Sequence, residues 1–309
     1  MSEIIDVADL DCIFLTYDEP KKEEFWAKIL HMVPWAKRVD GVKGSDAAHK
    51  AAADASDTDW FVLIDGDNLP DPDFFNLQLT LSDDDAGKAF RWKARNKING
   101  LMYGNGGMSV WSKDFVYNMQ THEASDGSDE TAVEFCFDPK YIAMHNVYST
   151  TYPNQSPKQA FRAGFREGVK MCLDRGRKPT LSEFEDTAHK RNLDNLYIWQ
   201  SVGSDVENGD WAIYGARYGT FKTMLDDDWD HVKVQDFDEL EKIWEEVTDN
   251  DPFEESRALG NILRNRLSLP IVDMDAEQSS FFKHHYGAGY KNLDMMTTEI
   301  DVIRKLEGW

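Results

Sequence analysis

Cysteine is scarce in this chain. Cys12, Cys136 and Cys172 stand far apart in 309 residues. That excludes a disulfide framework and a cysteine zinc site, and leaves small apolar core residues as the simplest reading. Long apolar runs are lacking too. Stretches such as 12–15 and 60–64 are far too short to span a bilayer. The first six residues carry neither a basic stretch nor an apolar core, so no secretory leader is expected and a reducing cytoplasmic setting is. Positive charge is in deficit. Lys and Arg number 34 against 57 Asp and Glu, a formal charge of −23. A generally basic nucleic-acid coat is thereby excluded, and binding to an acidic membrane is disfavoured. What is present suits a folded protein: hydrophobic residues at 41% and aromatic residues at 12% argue against global disorder. The length fits one large domain or two small ones.

The first third alternates strand and helix. Residues 11–17 read as a buried strand ending in a polar tip, and Pro20 opens a helix to about Met32. A short strand near 36–39 follows. Gly41 and Gly44 then mark a loop, after which Ser45 or Asp46 is placed to cap an Ala-rich helix over 47–55. Residues 59–64 form a strand apolar on both faces, as in the middle of a parallel sheet. This is half of a Rossmann-like unit. Further strands are expected at 74–81, 88–97, 108–111, 133–137 and 141–145. From 157 onward the pattern is helical, with candidates at 158–174, 180–199, 210–225, 236–248 and 252–266. The expectation is a catalytic α/β region over 1–156 and a mostly helical region over 157–309 packing on it.

The apolar strand leads into Asp65-Gly66-Asp67-Asn68. Open α/β sheets bind ligands at the carboxyl ends of their strands. Two carboxylates flanking one glycine can approach a single cation, and hard oxygen donors suit magnesium or manganese together with phosphate. Asp-Gly is also ordinary turn chemistry. One strand earlier, residues 41–50 (Gly-Val-Lys-Gly-Ser-Asp-Ala-Ala-His-Lys) combine backbone access, a helix N-terminus and the donors Lys43, His49 and Lys50. At the tip of the first strand, Tyr17 can stack on a base and Asp18 can accept its imide hydrogen.

The succession Thr16-Tyr17-Asp18-Glu19, residues 41–50 and Asp65-Gly66-Asp67 resembles GT-A glycosyltransferases of the family-2 kind. The resemblance extends to residues 92–107 and 160–170 and covers roughly 9–175. These segments are similar to a bacteriophage group of glycosyltransferase-like proteins, some of whose relatives modify hydroxymethylated bases in phage DNA, including by arabinosylation. The resemblance implies a GT-A Rossmann-like nucleotide-sugar-binding sheet with a helical C-terminal extension, working in the host cytoplasm if phage-encoded. It implies Mn2+ or Mg2+ held by Asp65 and Asp67, with His145 as third ligand; His122, His284 and His285 stay open for that role. A nucleoside-diphosphate sugar, uridine diphosphate foremost, is the implied co-substrate. Its contacts would be Thr16, Tyr17, Asp18, Lys43, His49, Lys50, Asp65, Gly66, Arg95, Gly106, Gly107, Arg162 and Arg166. The base that takes the acceptor proton would be Asp129, with Glu130 beside it. The Ala-Arg-Asn usual in family-2 enzymes is replaced here by Ala48-His49-Lys50.

Two segments run against the acidic background. Residues 88–97 contain five basic residues and no acidic one. As a strand they would place Arg91, Lys93, Arg95 and Lys97 on one face. Lys158, Arg162, Arg166 and Lys170 recur at i,i+4 along a helix. Aligned like charges need an offsetting anion, supplied by protein carboxylates, a donor diphosphate or a nucleic-acid backbone. The leading reading is a metal-dependent, inverting glycosyltransferase acting on a hydroxymethylated pyrimidine in DNA. A glycan, lipid or protein acceptor, a nucleotidyltransferase and a non-catalytic nucleotide-sugar-binding module are the alternatives.

Overall fold

The computed structural model describes residues 2–119, 121–124, 135–136, 138–188 and 190–293. The chain opens with β1 (Ser2–Asp6) and β2 (Asp11–Thr16), followed by α1 (Lys22–Met32), β3 (Lys37–Asp40), α2 (Ser45–Ala55) and β4 (Trp60–Asp65). Next come β5 (Asn68–Pro70), β6 (Gln78–Ser82), β7 (Ala89–Asn96), β8 (Met102–Ser112), α3 (Lys113–Asn118) and β9 (Tyr141–Thr151). The rest is helical: α4 (Pro157–Lys170), α5 (Phe184–Thr187), α6 (Lys190–Trp199), α7 (Gly209–Leu225), α8 (Phe237–Val247), α9 (Pro252–Leu267) and α10 (Ala276–Ala288). The architecture is mixed α/β. Among the described residues no helix is long and apolar enough to cross a membrane.

Seven strands form one curled sheet in the order β3-β2-β4-β8-β7-β9-β5, while β1 and β6 pair antiparallel as a separate ribbon. β2 runs parallel to β3 and to β4, as expected for strands joined by crossover helices. β4 is then antiparallel to β8, so it stands where the sheet changes direction. Its four inner residues, Phe61 to Ile64, are buried, because both faces are covered. Val62 and Ile64 join a core with Phe14, Phe74 and Trp92, and Phe61 and Leu63 join one with Ala52, Trp111 and Phe115.

Several expectations are corrected by local chemistry. The strand expected at 74–81 begins only at Gln78, because Asp71 caps a 3-10 turn (Pro72–Asn76) that buries Phe74 and Phe75. The helix expected at 180–199 is two helices, with extended backbone at Ala188 ending the first. In β7 the pairing register slips between Arg91 and Ala94. An extra residue reverses which side chains face which way. Arg91 therefore faces the same side as Ala94 and Asn96, while Lys93 sits against His145 and Tyr290. The four basic residues do not share one face.

α4 is fixed by its fit to α7. Ser156 caps it, and Pro157 occupies the first turn, where its missing N–H costs nothing. A Cβ at Gly164 or Gly168 would strike the α7 backbone, and one at Gly215 or Gly219 would strike that of α4. The two helices therefore pack at backbone contact. Phe161, Phe165 and Val169 turn into the helical core with Tyr214 and Ile243. That leaves Arg166, Glu167 and Lys170 for the side facing the sheet.

Candidate functional site

The carboxyl end of β4 opens onto a cavity of about 530 Å³ between the sheet and α4. That volume lies in the range of small-ligand pockets. Asp65 and Asp67 both line it. The turn between them is crowded by design of its neighbours. A Cβ on Gly66 would lie 2.6 Å from the Glu19 carboxylate, so Glu19 packs directly on this turn. A Cβ on Gly107 would lie 2.5 Å from Asn68 Nδ2 and 2.6 Å from Asp65 Oδ2, and Gly107 has φ +70°. Glycine is thus required there both by conformation and by space. Asp67 accepts hydrogen bonds from Thr151 Oγ1 at 3.2 Å and Asn68 Nδ2 at 3.3 Å.

Around this turn Asp65, Asp67 and Glu19 are half-buried, and the Asp67 charge opposes ionisation of the other two. Burial, then Asp67, then Glu19 push Asp65 up to about 7. Burial also raises Asp67, against the hydrogen bonds from Thr151 and Asn68 and the nearby Arg162 charge. Burial raises Glu19, with Asp67 and Asp18 adding to it. Asn68 Oδ1 is buried without a hydrogen-bond partner. The Asp65 and Asp67 carboxyls are hard oxygen donors of the type that a divalent cation takes. Among the described residues no group of three or more His, Cys, Asp or Glu is arranged to hold a metal. A cation on Asp65 and Asp67 would therefore keep positions for water or phosphate oxygens, as magnesium commonly does.

Cations line the same cavity. Arg166 donates from Nη2 to Gln235 Oε1 at 2.7 Å, while its buried Nε has no partner. Burial and then Arg162 lower its pKa. Arg91 lies over the Tyr141 ring at 4.5 Å, and its buried Nε is likewise unpartnered. Lys170 pairs with Glu167 at 2.7 Å. Arg91 and Arg166 thus line the same cavity as Asp65 and Asp67.

Of the residues singled out in the sequence, His49, Asp65, Asp67, Gly107 and Arg166 line this cavity. Gly66 joins them through the turn, and Arg162 through its influence on Asp67, although its guanidinium rests on Phe237 at 5.2 Å. Gly106 lies in β8. Among the described residues, the others do not line the cavity. Thr16 is buried, donates to Asp40 at 2.7 Å and accepts from Arg38 at 3.1 Å. Tyr17, Asp18, Lys43 and Lys50 are exposed. Arg95 lines a different groove with Tyr290. His145 stacks on Tyr290 at 5.8 Å and faces Lys93, so it is not brought to the aspartates. Asp129 and Glu130 lie outside the described residues.

The loop before α2 differs from expectation. The helix N-terminus meets the Glu123 carboxylate, which accepts from the Ser45 and Asp46 amides. An anion does sit there, but the protein supplies it. His49 Nδ1 donates to the Ser45 carbonyl at 2.8 Å, and burial lowers its pKa, so the ring is neutral. It tilts against Trp111 and Phe135 at 5.0 and 5.2 Å.

Sequence reasoning did not single out Glu19, Tyr103, Glu167 or Trp199 for the site. Arg91, Glu167 and Lys170 each lie in a charged segment it had marked, but nothing local said which would turn inward. No protein-family model matches the chain, and no match is found among curated proteins or solved structures.

Proposed function

We propose that the chain is a metal-dependent glycosyltransferase of the GT-A kind, moving a sugar from a nucleoside diphosphate, uridine diphosphate foremost, to a hydroxyl acceptor. The observation that carries this reading is the Asp65–Asp67 pair at the carboxyl end of β4, lining the same cavity as Arg91 and Arg166. A divalent cation bound there supplies positive charge to the departing diphosphate. Asp65 and Asp67 hold that cation, with Asn68 Oδ1 as a neutral neighbour. Arg166 and Arg91 orient phosphate oxygens and stabilise charge that grows on them. The acceptor proton passes to a carboxylate, the role that the family resemblance gives to Asp129 or Glu130. The same resemblance proposes a hydroxymethylated pyrimidine in phage DNA as the acceptor. A base in duplex DNA would have to leave the stack to reach the donor.

The test is calorimetric titration of uridine diphosphate with and without manganese, followed by diphosphate release from its sugar conjugates. Cation-dependent uptake is expected in the wild type and not in Asp65→Asn or Asp67→Asn. Undiminished uptake by both variants overturns the reading. A nucleotidyltransferase would instead release pyrophosphate from a nucleoside triphosphate, and a binding module would take up the donor without turnover.

A further inference from the structure

β8 contributes lining residues at both ends of the cavity wall. Trp111, Ser109, Gly107 and Tyr103 follow one another along that strand, and all line the cavity. Trp111 pairs with Ala89 and Tyr103 with Ala94, so these ends lie about five residues of β7, or roughly 16 Å, apart, and residues 104–107 bulge from the ladder between them. Gly107 is where Asp65 packs. α4 runs alongside toward the same end: Arg162 acts on Asp67, and Glu167, five residues on, reaches Tyr103. The turn that carries the paired aspartates therefore meets β8 between its Trp111 and Tyr103 ends.

The two ends differ in chemistry. At the Trp111 end the wall is aromatic, with the rings of His49, Trp111, Phe135 and Tyr141 packed against one another. At the Tyr103 end the groups form a directed hydrogen-bond chain. Trp199 Nε1 donates to the Tyr103 hydroxyl at 2.7 Å. That hydroxyl donates to Glu167 Oε2. Lys170 holds Glu167 Oε1 at 2.7 Å. An indole N–H can only donate, so the Tyr103 proton must point to Glu167. Burial opposes ionisation of Glu167, yet Lys170 and the Tyr103 hydroxyl outweigh it and hold the group as a carboxylate. Each carboxylate oxygen has one donor and a second lone pair to spare. Glu167 is thus a fixed, charged double acceptor on the wall of a cavity.

A phosphate would be repelled by that carboxylate, and an apolar group would leave its lone pairs unmet. Adjacent hydroxyls of a neutral sugar donate in pairs and present C–H faces that the partly exposed ring of Tyr103 can cover. We propose that the Tyr103 end is a subsite for the transferred sugar, that Glu167 accepts hydrogen bonds from its hydroxyls, and that it selects neutral sugars over uronic acids. This rests on the nucleotide-sugar reading above and deepens it. It also orients the donor: nucleoside toward Trp111, diphosphate at Asp65 and Asp67, sugar toward Glu167.

The experiment compares uridine diphosphate alone with its glucose, galactose, xylose and glucuronate conjugates, all with manganese, in the wild type and in Glu167→Gln. Tyr103→Phe gives a second test should Glu167→Gln fold poorly, and thermal melting reports on folding. At least one neutral conjugate should bind more tightly than the nucleotide alone, and the glucuronate conjugate should not. Glu167→Gln should cut neutral-conjugate affinity about tenfold, the scale of a lost charge-assisted hydrogen bond, and leave the nucleotide within twofold. Tyr103→Phe should lower it in the same direction. Nucleotide uptake with no gain from any sugar, or a gain that Glu167→Gln leaves intact, overturns this inference alone. Absence of cation-dependent nucleotide uptake by the wild type overturns the functional reading and this inference with it.

Discussion

Replacing Asp65 by Asn should stabilise the metal-free protein at neutral and alkaline pH while removing its use for the cation. Asp65 is held at about 7 against an ordinary 3.8. A raised carboxyl pKa means that the folded state binds the proton more tightly than the unfolded chain. Folding therefore loses stability as pH rises from about 4 to about 7, and the loss is complete above the folded value. A shift of that size corresponds to about 4 kcal/mol as an upper bound. Water entering the cavity screens the charge, so about 2 kcal/mol is the working expectation. Asn keeps the shape and never ionises. The stability difference between Asp65→Asn and wild type should be small near pH 4, grow in favour of the variant through pH 7 and level off by pH 8. Urea denaturation at several pH values, with chelator present, measures it. Added manganese should stabilise wild type more at pH 8 than at pH 5 and leave the variant almost unmoved. A difference independent of pH, or one that favours wild type increasingly at alkaline pH, refutes the reasoning.

Other consequences are equally direct. Gly107→Ala should abolish cation-dependent nucleotide uptake, since its Cβ would intrude on Asp65 and Asn68, whereas Gly104→Ala should keep it. Gly104 has a similar positive φ and open space around it, so its substitution should cost about 1–2 kcal/mol of stability from strain alone, read by denaturation. Arg166→Met should leave stability unchanged or raise it by up to about 2 kcal/mol, because a buried guanidinium gives way to an apolar chain, while weakening nucleotide binding in calorimetry at least tenfold. With hydroxymethylcytosine DNA as acceptor, binding through the exposed Lys43, Lys50, Arg95 and Lys97 should give a log–log salt slope no steeper than about −4. Mass spectrometry of the recovered nucleosides should show the sugar adduct, and its absence with every donor tried would remove DNA as the acceptor.

The parts of this fold legible in the sequence are those fixed by near neighbours. β4 declares itself as an apolar run, and α4, α8 and α9 by caps at Ser156, Asp236 and Asp251 within one or two residues of the expected starts. Asp65 and Asp67 follow from the strand that ends there. Asp275 and Gln278 spell a capping box for α10, a local signal that sequence reasoning passed over. What was not legible depends on distant partners. Glu123 fills the α2 N-terminus from 78 residues away. The register slip in β7 is set by pairing with both β8 and β9, and it alone decides that Arg91 enters the cavity while Lys93 does not. A period-two reading is sound only for an unbroken ladder.

On the proposed function, the charge arrangement would tie cation and nucleotide to each other. The chain carries −23, yet the cavity wall sets Arg91, Arg166 and Lys170 against Asp65, Asp67 and Glu167. Lys170 and Glu167 answer one another. What is left is two guanidinium groups and two carboxylates. A diphosphate entering alone gains the first and is repelled by the second, at about 4 kcal/mol per pair at 4 Å in a medium of intermediate dielectric. A divalent cation removes that repulsion. By linkage, the nucleotide must raise cation affinity by the same factor. A proton on Asp65 can partly take the cation's place. Without metal, nucleotide uptake should therefore strengthen as pH falls through about 7, where Asp65 becomes neutral. With manganese the trend should reverse, because protons then compete with the cation for the same oxygens. Two titration series, at pH 5.5 and 8 on the order of one unit to either side of that midpoint, separate the cases. The same pH trend with and without manganese would show that Asp65 does not face the diphosphate at all.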